Sequence, residues 1–150
     1  MNYLKRNYGW MIVTILAILP IFILLNMYRQ EGEPNIEMMY HISGEFAIRW
    51  MTAVLTCTPF FILFGVNNLF VRQAMGIATA VWSLLHFIIF LAYDGFLETF
   101  TQVNYVAGFI GVLLLIPLLL TSNRKSMKAL KKNWKKLQSL AYVIVILSLL

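Results

Sequence analysis

Five long apolar runs, separated by short polar stretches, organise this chain. They cover about residues 8–27, 46–65, 74–93, 105–120 and 137–150. The first three are about twenty residues each, which at about 1.5 Å per residue is enough to cross a hydrocarbon core of about 30 Å. Unbroken runs of this length predict helices, because membrane barrels are built from short segments of alternating polarity. The expected fold is all-α, a polytopic transmembrane helix bundle with about five membrane helices in one domain over residues 1–150. Lys5 and Arg6 precede the first run as they would in a signal peptide. Its length, and the lack of a small-x-small cleavage pattern before Arg29, predict an anchor instead. Between the fourth and fifth runs, Met127, Leu130, Trp134 and Leu137 recur at spacings of three and four through a strongly basic stretch. That stripe predicts an amphipathic helix over about 124–136, lying at the membrane interface as a lipid anchor or as a docking site for a soluble partner.

Composition agrees with a membrane protein. The chain is 61% hydrophobic and only 12% charged, about half the charge of an ordinary soluble domain. Cys57 is the single cysteine, so the chain has no internal disulfide framework. The net charge of +6 would suit nucleic acid, but its placement gives another cause. Lys5, Arg6, Arg72, Arg124, Lys125, Lys128, Lys131, Lys132, Lys135 and Lys136 fall at the N-terminus or in the second and fourth loops. Glu31, Glu33, Glu37, Glu45, Asp94 and Glu98 fall in or beside the first and third. This pattern predicts a cytoplasmic N-terminus, an amphipathic helix on the same side, and contact with membrane lipid rather than nucleic acid.

An ionisable side chain within a membrane segment asks for a partner or a function. His86 lies within the third run, about 10–12 Å below its outer end. It could be a neutral imidazole bonded to a neighbouring helix, the axial ligand of a tetrapyrrole metal, or, with less support, a proton relay. Arg49 follows Glu45 by four residues. The pair can form an intrahelical ion pair at the outer interface, or Arg49 can turn inward and neutralise a buried anion such as a haem propionate or lipid phosphate. His41, beside Met38, Met39 and Tyr40, is expected in the first outer loop, touching water or, on a weak signal, a soft metal. No nucleotide-binding glycine loop, paired cysteines, nucleophile elbow or intramembrane acid pair is present in the sequence. The chain therefore offers no catalytic residues of its own, and an enzymatic role would rest on a cofactor or partner subunit.

A set of short matches runs in order along the chain. They are Ser43-Gly44-Glu45-Phe46-Ala47-Ile48-Arg49, Leu55-Thr56-Cys57-Thr58-Pro59, Arg72 with Gly76, Leu85-His86 with Asp94, and Gly108-Phe109. The segment from Leu113 to Pro117, then Leu120-Thr121-Ser122 and Trp134-Lys135-Lys136-Leu137, complete the set. In these the chain resembles the membrane haem-binding subunits of periplasmic methionine sulfoxide reductase systems, within the ferric-reductase-like transmembrane superfamily. The resemblance implies a bacterial inner-membrane protein with haem b held by histidines of the third and fifth helices. It also implies electrons from quinol or a cytoplasmic flavin reductase, other membrane subunits, and an outer-face reductase as acceptor.

His86 matches the third-helix ligand of that family. A family histidine just after the tryptophan-basic-basic-leucine segment corresponds to Gln138, and a further one falls one place beyond Leu150. The last run, about 21 Å of helix, is short for a full crossing, which fits a longer native chain, a terminus packed against another protein, or a helix shifted outward. Three functions follow: an electron-transfer subunit with haem iron on His86; a haem-free structural or assembly subunit of a respiratory or photosynthetic membrane complex; and a pigment-binding subunit with magnesium on a single His86.

Overall fold

In a computed structural model, residues 2–29, 35–65 and 69–149 are described, the side chains at 2–7, 69, 99 and 124 excepted. The acids Glu31 and Glu33 and the side chains of Lys5, Arg6 and Arg124 therefore lie outside the described residues. The helices are α1 (Asn2–Arg29), α2 (Ile36–Phe64), α3 (Leu69–Tyr93), α4 (Val103–Leu120), α5 (Arg124–Leu130), α6 (Lys132–Gln138) and α7 (Leu140–Ser148), with a 3-10 turn at Leu97–Phe100 before α4. Among the described residues there is no strand.

Four helices, Tyr8–Arg29 within α1, α2, Phe70–Tyr93 within α3, and α4, are long and apolar enough to cross a membrane. Many of their large apolar side chains face outward, among them Ile15, Leu19, Phe22, Leu63, Ile88 and Leu113. In water such a surface would drive aggregation; against lipid it is the surface expected of a bundle whose backbone polar groups are satisfied within each helix. The chain is a multi-pass membrane protein. The described part of the fifth run, residues 137–149, holds the end of α6 and the apolar α7, set off from α6 at Ser139 and packed against α4. The amphipathic stretch differs from one continuous helix. It breaks at Lys131, whose φ of 46° lies in the left-handed region, into α5 and α6. The break goes with an anchor: the Trp134 indole N–H donates to the Thr121 carbonyl at 3.0 Å, tying α6 to the end of α4.

α3 is the element the others pack on, touching α1, α2 and α4. Small residues let helices approach where the hydrophobic effect gives no drive between them. Ala74 and Ala78 are buried against Val13 and Ala17 of α1. A Cβ on Gly9 would meet the Val71 side chain at 2.7 Å. Deeper in, Trp82 is fully buried at 0% exposure, stacks on Phe46 of α2 at 4.8 Å, and donates its indole N–H to the Ala17 carbonyl of α1 at 3.1 Å. One side chain thus joins three helices.

Contacts at the two ends show that neighbours α2, α3 and α4 run antiparallel. Tyr40, Phe90 and Tyr105 meet at one end, with ring centroids 6.1 and 5.0 Å apart. Gln73 donates to the Ser122 carbonyl at the other. The first end carries Glu37, Glu45, Asp94 and Glu98; the second carries Arg72 and the lysines of the α5–α6 segment. Truncating the three-helix joint, Trp82→Ala, should cost about 3 kcal/mol or more. This is measurable as a lowered thermal midpoint of the purified protein in detergent, whereas Val81→Ala on the outward face of the same helix should leave it nearly unchanged.

Candidate functional site

α2 begins ten residues before its apolar run because Asn35 caps it, accepting from the Met38 backbone N–H at 3.0 Å, and Glu37 sits favourably in the first turn. The polar-looking stretch 36–45 is therefore helical. Tyr40, Ser43, Gly44 and Ala47 recur at spacings of three and four and line up on the face that meets α3. His41, expected in a loop, is on this helix too, exposed and edge-on to Tyr40 at 5.7 Å. Among the described residues no group of three or more histidine, cysteine or acidic side chains could hold a metal.

His86 projects from α3 into this face. Its Nδ1 lies 3.1 Å from the Tyr40 carbonyl oxygen and 3.1 Å from Ser43 Oγ, while Ser43 Oγ–H donates to the same carbonyl at 2.9 Å. A carbonyl can only accept, so Nδ1 must carry the proton. The Ser43 hydroxyl, already donating to Tyr40, is free to accept from the same N–H. In the neutral ring the lone pair then sits on Nε2, which has no hydrogen-bond partner among the described residues. The Tyr40 ring stacks on the imidazole at 4.4 Å and fixes its plane. Gly44 makes room for it: a Cβ there would stand 2.9 Å from His86 Cε1. Ser43, at 0% exposure, has its hydroxyl fully used within this cluster.

Beside the imidazole is a cavity of about 300 Å³ bounded by α2, α3, α4 and α7, the lower end of the range of small-ligand sites. His86 and Ser83 line it from α3, Gly44, Ala47 and Met51 from α2, Asn104, Tyr105, Gly108 and Gly111 from α4, and Ile144 and Ser148 from α7. The small residues on α2 and α4 leave the space open. Phe87, Phe90 and Phe109 also border it, with Phe87 and Phe109 centroids 5.7 Å apart. The site is therefore a mostly apolar slot with one imidazole of fixed tautomer on its wall.

Arg49 is not brought to this slot. It pairs with Glu45 at 2.7 Å, with both side chains about two-thirds exposed (68% and 64%), and its guanidinium lies 5.8 Å from the Phe46 ring. The intrahelical ion pair is the arrangement present. Gln138 ends α6 outside the cavity, with its buried Nε2 unpartnered among the described residues.

A family model described as the ferric reductase like transmembrane component matches residues 43–149. The chain belongs to this family. Its ferric-reductase-like character covers the whole site from Ser43 onward and leaves α1 and the Tyr40 turn outside the matched region. Among similar curated proteins is the haem-binding subunit of protein-methionine-sulfoxide reductase from Agrobacterium fabrum, 33% identical over 73% of this chain and 54% of that protein. The namesake subunit of Rhizobium meliloti is 37% identical over 69% and 51% respectively, and that of Brucella ovis 29% over 77% and 56%. The chain spans about half the length of these relatives. No solved structure gives a significant match.

Tyr40 and Ser43 went unassigned by sequence reasoning because their role rests on a backbone carbonyl and a hydroxyl, neither of which has a sequence signature beyond the three-residue spacing. Gly44→Ala should push the imidazole off the Tyr40 ring or open the α2–α3 contact. The expected readout is a lowered thermal midpoint together with changed His86 ring resonances in the ferric-reductase-like chain, while Gly108→Ala, where a Cβ meets open space, should not lower the midpoint and should leave the ring resonances of the cofactor-free chain in place.

Proposed function

We propose that this ferric-reductase-like membrane chain holds haem b through His86 Nε2 and serves as the electron-transfer subunit of an oxidoreductase. The observation that carries this reading is the imidazole whose Nδ1–H is bound by the Tyr40 carbonyl, which leaves the Nε2 lone pair beside an apolar slot. Metal-ligating histidines are commonly oriented this way, the second nitrogen bonded to a carbonyl that fixes the tautomer and raises the basicity of the ligating one. The residues present fit a flat macrocycle: Gly44, Ala47, Gly108 and Gly111 keep the slot open and phenylalanine rings line it. The names of the similar curated proteins, haem-binding subunits, support the same cofactor.

When bound, haem supplies one-electron oxidation and reduction. The chain's own residues bind and orient: His86 offers its lone pair, Tyr40 holds the ring plane and tautomer, and the phenylalanines exclude water. The other lining groups with donor atoms are the Met51 thioether, the Asn104 amide, the Tyr40 and Tyr105 phenols and the Ser83 and Ser148 hydroxyls, and His86 is the one imidazole among the described lining residues. A second imidazole for the group would come from outside the described residues. The single imidazole also favours a second reading, a tetrapyrrole held by one protein ligand, which a magnesium pigment would accept. The positive-inside rule puts the basic end in the bacterial cytoplasm and His86, about 10 Å from the end of α3, toward the outer face. Quinol or a flavin reductase would then be the donor, and an outer-face reductase the acceptor.

The test is haem quantification by Soret and pyridine haemochrome absorbance on the chain purified from membranes. His86→Ala should lower bound haem at least about tenfold, since it removes the imidazole that would hold the group. His41→Ala should leave it unchanged, and a quinol analogue or a flavin reductase with NADH should reduce the wild-type haem. Full haem content in His86→Ala would refute the ligand assignment, and a magnesium-type spectrum would establish the second reading.

A further inference from the structure

At the basic end, opposite the His86 slot, a second groove of about 110 Å³ lies between the inner ends of α2, α3 and α4 and the α5–α6 segment. Arg72 lines it, flanked by Phe70, Met127 and Trp134, with Asn123 at its rim. The other polar groups around it are already committed. Gln73 donates to the Ser122 carbonyl, Trp134 donates to the Thr121 carbonyl, and Asn123 caps α5 through Ser126 and donates to the Leu120 carbonyl. Arg72 has no ion pair or hydrogen bond among the described residues and is only partly exposed. No acid lies near it in the chain: residues 50–93 and 95–97 contain none, nor do residues 99–150. Around the groove stand Lys125, Lys128, Lys131, Lys132, Lys135 and Lys136, all exposed. Among the described residues no acid pairs with Arg72, which leaves its guanidinium open to an anionic ligand.

We propose that the Arg72 groove is a binding site for the phosphate headgroup of an anionic membrane lipid. A guanidinium presents a planar fork of donors that matches phosphate oxygens. The groove is also lined by the apolar side chains of Val54, Phe70, Met127 and Trp134, which suits the glycerol and first acyl carbons of a lipid. A free phosphate ion would leave those walls unused. The surrounding lysines favour a net negative headgroup over a zwitterionic one, since each basic residue at a membrane surface adds attraction for anionic lipid. The bound lipid would brace the α5–α6 segment against α3, adding to the Trp134–Thr121 bond that ties α6 to the end of α4. This site is independent of any cofactor on His86.

The test is native mass spectrometry of the full chain released from nanodiscs of mixed phosphatidylglycerol and phosphatidylcholine. The wild type should retain phosphatidylglycerol in preference to phosphatidylcholine by about fivefold or more, and excess inorganic phosphate should not displace it. Arg72→Gln should lower retained phosphatidylglycerol about fivefold, Arg72→Lys should lower it less, and Lys128→Gln, which removes the same charge from an exposed position, should leave it within about twofold. Equal retention of the two lipids by the wild type, a measurement that needs no variant to fold, would overturn the proposal. An equal loss in Lys128→Gln would show diffuse surface attraction and overturn it as well. Displacement by inorganic phosphate would overturn the assignment to lipid.

Discussion

The hydrogen bond from the His86 imidazole to the Tyr40 carbonyl crosses from α3 to α2 and decides what the buried ring can do. In a low-dielectric interior an imidazole must satisfy its N–H, and here a backbone carbonyl of α2 accepts it. The Ser43 hydroxyl joins the same carbonyl and the Tyr40 ring covers the imidazole face. Two side chains and one carbonyl thus hold the ring in a single tautomer and plane. The absence of a side chain at Gly44 lets the two helices come close enough for the bond to form. The unpaired Nε2 beside the apolar slot follows from this geometry, and the proposed chemistry follows from that Nε2.

The bilayer shapes everything around it. Without water inside the membrane, close packing and polar satisfaction replace the hydrophobic effect as the forces between helices. The buried alanines of α3, the glycine against Val71, and the Trp82 indole bonded to Ala17 serve that purpose on the α1 side. On the α4 side small residues recur without a partner filling the space, and a cavity results. Charge is sorted along the same axis, acids at the His86 end and lysines with Arg72 at the other, so the molecule presents chemically different faces to the two sides of its membrane.

Much of this was legible in the sequence. Four of the five apolar runs are helices of spanning length, because composition alone dictates where a backbone can enter lipid. The Glu45–Arg49 pair was readable from its four-residue spacing and acid-first order. The ring at position 86 stood out as the one imidazole in an apolar run. The Tyr40 turn was not legible, since its polarity resembles a loop and only the Asn35 cap with Glu37 makes it helical. The break at Lys131 was hidden as well: periodicity predicts a continuous stripe there, and the left-handed residue answers to the Trp134 anchor, a tertiary contact. Likewise the separation of α7 from α6 at Ser139 leaves no mark in the apolar run that begins at Leu137.

The tautomer of His86 is the point on which the site stands or falls, and nitrogen-15 NMR of histidine-labelled, cofactor-free chain in detergent or bilayer reads it directly, with His86→Ala assigning the signal. The expected spectrum has a protonated Nδ1 and a pyridine-type Nε2. A protonated Nε2 with an unprotonated Nδ1 would contradict the Tyr40 hydrogen bond and remove the lone pair from the slot.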